Sequence, residues 1–187
     1  MTPEEQAVGD LTRLLARLQI PFMLTGSVAS SYHGRPRATH DADIVIDPTP
    51  QQFDALITAL ESAGFYVSRE GAMRALRTRA PFNIIETEHA SKIDLIIRRD
   101  RPFSKAEFDR RIVVDLAFAE DVAIVTAEDA ILSKLEWARL AGDSERQLAD
   151  AAGVVALNPR LDSTYLELWS RELGVHDLWM RIARTIR

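Results

Sequence analysis

Two aspartates separated by a single residue are the part of the sequence best suited to chemistry. Asp41 and Asp43 lie at the start of residues 41–46, a short apolar run rich in β-branched side chains that predicts a strand. Side chains two residues apart on a strand point to the same face, about 7 Å apart. Parallel carboxylates repel each other unless a cation or proton lies between them. The spacing therefore predicts a site for a hard cation such as Mg²⁺ or Mn²⁺, although Asp41 as a strand cap and Asp43 facing water is the simpler alternative.

A third acid has a similar setting farther along the chain. Asp94 interrupts the apolar run of residues 93–97, where an unpaired buried charge would be costly. If this strand neighbours the first, Asp94 joins Asp41 and Asp43 in a cage of three carboxylates. Such a cage can hold two metal ions about 4 Å apart, bridging the attacking and leaving oxygens of a phosphoryl displacement.

The turn at Gly26 and Ser27 predicts a phosphate cradle. It stands between a short apolar run ending at Leu24 and a predicted helix over residues 28–32. Backbone N–H groups at a helix start attract anions, and glycine lets a phosphate approach the backbone closely. Ser27 can cap the helix and donate its hydroxyl to a phosphate oxygen. A plain helix cap without a ligand is the alternative.

The remaining elements predict a mixed-sheet α/β part followed by helices. Thr2-Pro3 and Thr49-Pro50 each predict a capped helix start. Further strands are predicted over residues 65–67, 82–87, 92–97, 112–116 and 122–125, and later helices near residues 127–141, 144–156, 162–172 and 175–186. Because strands and helices alternate irregularly, a mixed sheet is favoured over a doubly wound parallel one. We assign residues 1–125 to the α/β core and residues 126–187 to a C-terminal helical segment.

Together these motifs resemble the polymerase-beta-like nucleotidyltransferase superfamily. The resemblance rests on strand–Gly26-Ser27–helix, the segment from Arg37 to Asp43 in the form R-x-T-x-D-x-D, and the distant Asp94. This form, with residues 130–139 around Lys134, is most similar to the AbiE-type (AbiEii) toxin nucleotidyltransferases of toxin–antitoxin systems. That branch often has adjacent Arg and Asp in its late helix, whereas Arg146 and Asp150 are separated in this chain.

The resemblance implies a role for each matching position. Asp41, Asp43 and Asp94 would bind Mg²⁺ or Mn²⁺, and Asp94 would also help to deprotonate the attacking hydroxyl. The nucleoside triphosphate (NTP) would be contacted by Gly26, Ser27, Arg37, Thr39 and Lys134. The alternative for Lys134 is a surface lysine paired with Glu128 or Asp129 one turn away.

Composition excludes several other functions. The chain has no cysteine, which removes disulfides, thiolate zinc sites and cysteine nucleophiles. No apolar run approaches the roughly 20 residues of a membrane span, and the acidic N-terminus lacks the pattern of a secretory signal, so we expect a cytoplasmic protein. The net charge is −5, but residues 69–111 carry 11 Lys/Arg against 7 Asp/Glu. Arginines in this stretch predict an acceptor-facing basic surface: Arg74, Arg77, Arg79, Arg98, Arg99 and Arg101.

The predicted reaction is transfer of a nucleoside monophosphate from an NTP to an acceptor hydroxyl. By family analogy the acceptor is an RNA, such as the 3′ end of a tRNA, in a toxin–antitoxin or related context with a cognate antitoxin protein as partner. A protein hydroxyl or a small molecule, as in the antibiotic nucleotidyltransferases, is the alternative acceptor. A non-catalytic nucleotide-binding interaction module is the alternative outside enzymes.

Overall fold

The computed structural model describes residues 1–36 and 41–184. The strands are β1 (Phe22–Thr25), β2 (Asp41–Ile46), β3 (Phe65–Val67), β4 (Pro81–Glu86), β5 (Lys92–Ile97), β6 (Ile112–Leu116) and β7 (Ala119–Ile124). The helices are α1 (Pro3–Arg17), α2 (Gly26–His33), α3 (Pro50–Ser62), α4 (Arg69–Thr78), α5 (Pro102–Arg110), α6 (Ala127–Leu140), α7 (Glu145–Leu157), α8 (Ser163–Glu172) and α9 (His176–Arg184). The mixed α/β class expected from the sequence is confirmed.

The chain forms two compact units. One contains all seven described strands with α1, α3, α4 and α5, and the other contains α2 together with α6, α7, α8 and α9. The sequence assigned α2 to the α/β core because it lies between β1 and β2. In the structure it is instead part of the helical unit, and the later change of unit falls between Ile124 and Val125.

The sheet of the α/β unit has the order β3-β4-β5-β2-β1-β7-β6. The central pair β2–β5 is parallel and so is β1–β7, whereas β1–β2, β3–β4, β4–β5 and β6–β7 are antiparallel. One face of the central pair is apolar and buried, with Ile44 and Ile46 on β2 and Ile93, Leu95 and Ile97 on β5. Alternation along the strands therefore puts the side chains between them on the opposite, more polar face.

Local sequence explains where α1 and α3 of this unit begin. Thr2 and Thr49 each accept a backbone N–H three residues on, and Glu5 and Gln52 return the contact to the cap residue, which completes a capping box at α1 and at α3. Each helix then presents an apolar stripe, including Leu11 in α1, to the core.

Gly9 marks a close approach inside the α/β unit. It lies in the middle of α1, and a Cβ at this position would lie 2.6 Å from the carbonyl oxygen of Phe118. We expect Gly9→Ala to lower the free energy of unfolding by about 1–2 kcal/mol, because a backbone atom cannot yield as a side chain can. Gly153→Ala is the matched control, since the nearest atom to its added Cβ is 3.8 Å away. Denaturant unfolding of both variants checks this: Gly153→Ala reports the gain of about 0.5–1 kcal/mol that alanine gives a helix, and an equal gain in Gly9→Ala would contradict the close contact.

The sequence did not predict α4 and α5. Helix α4 buries only Ala72 and Ala75, so it lacks the stripe of large apolar residues by which a helix is recognised. Helix α5 begins at Pro102 without a side-chain cap. Its buried aromatic residues, Phe103 and Phe108, are five positions apart, which fits no simple helical repeat.

In the helical unit, α2 packs against α6 and α7, and α8 and α9 complete the bundle. The small buried residues of α2, Ala29 and Ser30, allow this close packing. Asn158 joins the end of α2 to α7, because its side-chain amide donates to the carbonyl oxygens of His33 and Val154, each at 2.7 Å.

A buried carboxylate connects α6 with α8. Asp129 is fully buried, and its two oxygens accept hydrogen bonds from the hydroxyls of Thr126 at 2.7 Å and Tyr165 at 2.6 Å. Trp137 in the same helix is 52% exposed. Ile131, Leu135 and Ala138 form the buried face instead.

His33 makes the stability of the helical unit sensitive to acid. Its Nε2 lies 2.7 Å from the carbonyl oxygen of Val125, to which it donates, and burial lowers its pKa below the ordinary 6.5 despite the opposing effects of this bond and of Glu128. The unfolded chain therefore binds a proton at a higher pH than the folded chain does, so stability declines as the pH falls below 6.5. We expect His33→Gln, which keeps an N–H donor, to lose less melting temperature than the wild type between pH 7.5 and 5. Parallel pH profiles would contradict this assignment.

Within the described ranges, every helix falls short of the length and hydrophobicity that a membrane span requires.

Candidate functional site

Three aspartates lie together on the polar face of the central strand pair. In the parallel register of β2 with β5, Asp43 is directly opposite Asp94 and Asp41 is directly opposite Lys92. Paired strands lie about 4.8 Å apart, and side chains in register share a face. The structure therefore brings the third carboxylate beside the Asp41–Asp43 pair, as the sequence predicted for neighbouring strands.

The buried face explains why these strands hold their register. Ala42 and Ile44 alternate with the two aspartates on β2, and Ile93 and Leu95 flank Asp94 on β5; all four are buried. A slip of one residue would turn this apolar set toward the acids' face and bury the acids. The carboxylates are thus positioned by the core beneath them.

Lys92 is a fourth charged member of this face, which the sequence analysis did not single out. Its Nζ donates to Oδ2 of Asp94 at 3.0 Å. The hydrogen bond with Asp94 raises the pKa of the Lys92 ammonium. Burial opposes this rise, and the charges of Asp94, Asp41 and Asp43 add to it. The strand alternation that pairs Asp41 with Asp43 also places Lys92 and Asp94 on one face, so the sequence carried the signal.

Uncharged polar residues extend the acidic row on both sides. Thr25 of β1 is in register with Asp43, and Asn83 of β4 is in register with Asp94. Thr25 is nearly buried, whereas Asn83 is exposed. The row Asn83–Asp94–Asp43–Thr25 crosses four adjacent strands and offers oxygen ligands of the kind that Mg²⁺ and Mn²⁺ prefer.

The residues predicted to bind phosphate belong to other parts of the structure. Gly26 and Ser27 open α2, which begins two residues earlier than the sequence predicted. Gly26 has a φ of 59°, a conformation that glycine adopts without strain. Arg37 and Thr39 lie outside the described residues.

Lys134 is buried, so the alternative of a surface lysine is wrong. Its Nζ donates to Oδ2 of Asp150 at 2.9 Å, and the two side chains are only 6% and 11% exposed. Asp150 is thus the carboxylate that accompanies the predicted phosphate lysine, whereas Arg146 of the same helix is exposed.

Most of the predicted basic surface is engaged within the α/β unit. Arg98 donates to Asp47 at 2.8 Å, and Arg79 donates to the carbonyl oxygen of Arg98 at 2.7 Å. Arg74 pairs with Glu70 in its own helix. Arg101 donates to the hydroxyl of Ser104. The prediction of a basic surface therefore depends mainly on Arg77 and Arg99.

A second acidic cluster lies in the turn between β4 and β5. The ligand atoms of Glu86, Glu88 and His89 lie within 4.8 Å of one another. However, the Glu86 carboxylate already accepts the backbone N–H groups of Glu88 and His89. Burial raises the pKa of Glu86, but the hydrogen bonds from Glu88 and His89 and the nearby His89 ring together outweigh it, so the pKa is lowered. The hydrogen bonds of the turn therefore explain why Glu86, Glu88 and His89 lie close together.

The fold is that of known nucleotidyltransferases. An antigenic nucleotidyltransferase-like protein from Paracoccidioides brasiliensis superposes with a TM-score of 0.61 at 16% identity, over 96% of this chain and 92% of that one. ANT(2″)-Ia in complex with adenylyl-2″-tobramycin gives 0.63 at 14% identity, over 92% and 98%. The lincosamide antibiotic adenylyltransferase LnuA, with lincomycin bound, gives 0.52 at 15% identity, over 84% and 98%.

Sequence comparison adds nothing to this likeness, because neither family models nor curated proteins match the chain. The likeness therefore defines the fold, and the acidic row on β2 and β5 defines the candidate site within it.

Proposed function

We propose that the protein is a metal-dependent nucleotidyltransferase that transfers a nucleoside monophosphate from an NTP to an acceptor hydroxyl. The observation that carries the proposal is the register of β2 with β5, which sets Asp94 beside the Asp41–Asp43 pair in a nucleotidyltransferase fold. Three carboxylates on one face fit the oxygen-rich coordination of Mg²⁺ or Mn²⁺. A scaffold protein has no need to gather like charges in this way.

Asp41, Asp43 and Asp94 would hold the divalent ions, which when bound neutralise charge on the triphosphate and at the reacting oxygens. Asp94 accepts the proton of the acceptor hydroxyl. The oxygen then attacks the α-phosphorus, a new P–O bond forms, and the bond to pyrophosphate breaks. Gly26, Ser27, Arg37, Thr39 and Lys134 remain predicted phosphate contacts, supported by the resemblance of their motifs.

A small molecule bearing a hydroxyl is the acceptor that the observations favour. Two of the similar structures, ANT(2″)-Ia and LnuA, hold an adenylylated or unmodified antibiotic, and each is covered over 98% of its length. Arg74 pairs with Glu70, and Arg79 and Arg98 share the single carboxylate of Asp47, which lowers the net positive charge available to neutralise RNA phosphates. An RNA 3′ end modified by an AbiE-type toxin with a cognate antitoxin is the second candidate, supported by the R-x-T-x-D-x-D motif.

Labelled NTPs test the proposal directly. The protein is incubated with each α-labelled NTP and Mg²⁺ or Mn²⁺, together with an aminoglycoside, a lincosamide, total cellular RNA or total protein. We expect metal-dependent release of pyrophosphate and label in one acceptor fraction. Label in RNA would contradict a small-molecule acceptor and favour an RNA acceptor of the AbiE type. No metal-dependent NTP turnover would overturn the enzymatic proposal, and stabilisation by NTP without turnover would favour the nucleotide-binding interaction module.

A further inference from the structure

Lys92 lies on the same face of the sheet as the three aspartates. It lies on the same strand as Asp94 and two residues before it, so both side chains share one face. Across the strand pair it is in register with Asp41. Its Nζ contacts Asp94 Oδ2 at 3.0 Å, and Asp41 and Asp43 also attract it electrostatically. One ammonium group thus faces the three carboxylates that are proposed to bind metal.

An ordinary exposed lysine–aspartate pair has little effect on folding or binding, because water screens it and the long side chain loses freedom. Lys105 and Asp100 form such a pair on the same unit, with side chains 53% and 60% exposed. Lys92 and Asp94 are less exposed, at 42% and 25%. Because the Lys92 ammonium is hydrogen-bonded to Asp94 Oδ2, a divalent ion that approaches Asp94 meets a positive charge already bound to one of the carboxylate oxygens.

We propose that Lys92 is a built-in counter-cation of the carboxylate face, which competes with a divalent metal ion for Asp94 and so weakens metal binding in the absence of nucleotide. The inference rests on the proposed function, because it assumes that these aspartates bind metal. Its consequence is that free metal binds weakly and the metal–NTP complex is the form the site accepts. The four-carbon side chain lets the ammonium leave Asp94 without movement of the strand.

Divalent-ion titration without nucleotide tests this competition. Calorimetry with Mn²⁺ and with Mg²⁺ is carried out on the wild type, Lys92→Met, Lys92→Arg and Lys105→Met. We expect Lys92→Met to bind Mn²⁺ about tenfold more tightly, since it removes a like charge next to the ion. Lys92→Arg retains the charge and should stay within about twofold of the wild type. Lys105→Met, the matched control, should not differ from the wild type. Equal or weaker binding by Lys92→Met would overturn the proposal and assign Lys92 a positioning role.

A second measurement on the wild-type chain avoids any dependence on how the variant folds. The chain has only three lysines, at positions 92, 105 and 134. Reductive ¹³C-methylation keeps their charge and gives few, separable NMR signals. We expect saturating Mg²⁺ to shift the Lys92 signal and to leave the Lys105 signal in place. An unmoved Lys92 signal at metal saturation overturns the competition alone, whereas a wild type that binds no divalent ion, with or without NTP, overturns the proposed function as well.

Discussion

Asp43→Asn is expected to lower nucleotidyl transfer roughly 10²–10³-fold while leaving the protein folded. Asp43 is the central member of the acidic row: it is two residues from Asp41 on β2 and in register with Asp94 on β5. Replacing it with a neutral amide of equal size removes one of the three carboxylates that we propose to bind the divalent ions. The same change removes one of three mutually repelling charges, so thermal stability without metal should be unchanged or slightly higher.

The measurements are pyrophosphate release and the rise in melting temperature caused by Mg²⁺ with NTP. We expect Asp43→Asn to lose both. Asp54→Asn is the control, because Asp54 is an exposed residue of α3 away from the acidic row, and it should keep wild-type activity. If Asp43→Asn turned over NTP at the wild-type rate, the three aspartates would not be the catalytic centre.

Lys134→Met is expected to lower the free energy of unfolding by about 3 kcal/mol, because it deprives Asp150 of a buried positive partner. The two side chains are 6% and 11% exposed and 2.9 Å apart. Adding Asp150→Asn to this variant removes the negative charge too, so the double variant should recover most of the loss. Arg171→Met is the matched control in the same unit, since Arg171 pairs with Glu167 at the surface, and it should change stability by about 0.5 kcal/mol at most.

The double variant also tests the proposed phosphate contact of Lys134 separately from its ion pair with Asp150. If Lys134 contacts nucleotide phosphate, Lys134→Met with Asp150→Asn regains stability but not affinity for NTP. Denaturant unfolding and NTP titration of the four proteins of the cycle give both quantities. Independent effects of the two substitutions on unfolding would contradict a coupled pair.

The sequence predicted best where a local signal and the tertiary structure agree. Thr2-Pro3 and Thr49-Pro50 carry their caps in adjacent residues, and both helices begin there. The strand at residues 92–97 has the predicted bounds because apolar alternation and a single acid define it. Asp41, Asp43 and Asp94 could be grouped because strand periodicity puts each on a defined face; only the adjacency of the two strands had to be assumed.

The sequence failed where the partners of a segment are distant in the chain. Arg79 and Arg98 suggested a free basic surface, because nothing local reveals that both are held near Asp47. Asp150 could not be recognised as the partner of Lys134, since the pair joins two different helices.

The grouping of α2 with the last four helices affects how the protein is made. Residues 26–33 leave the ribosome early, yet their packing partners in α6 and α7 are synthesised only after residue 126. Until then Ala29 and Ser30, which are buried in the finished protein, have no surface to pack against. The helical unit therefore has to fold late. In a nascent chain halted near residue 125, α2 would be present without α6 and α7, the helices against which it packs.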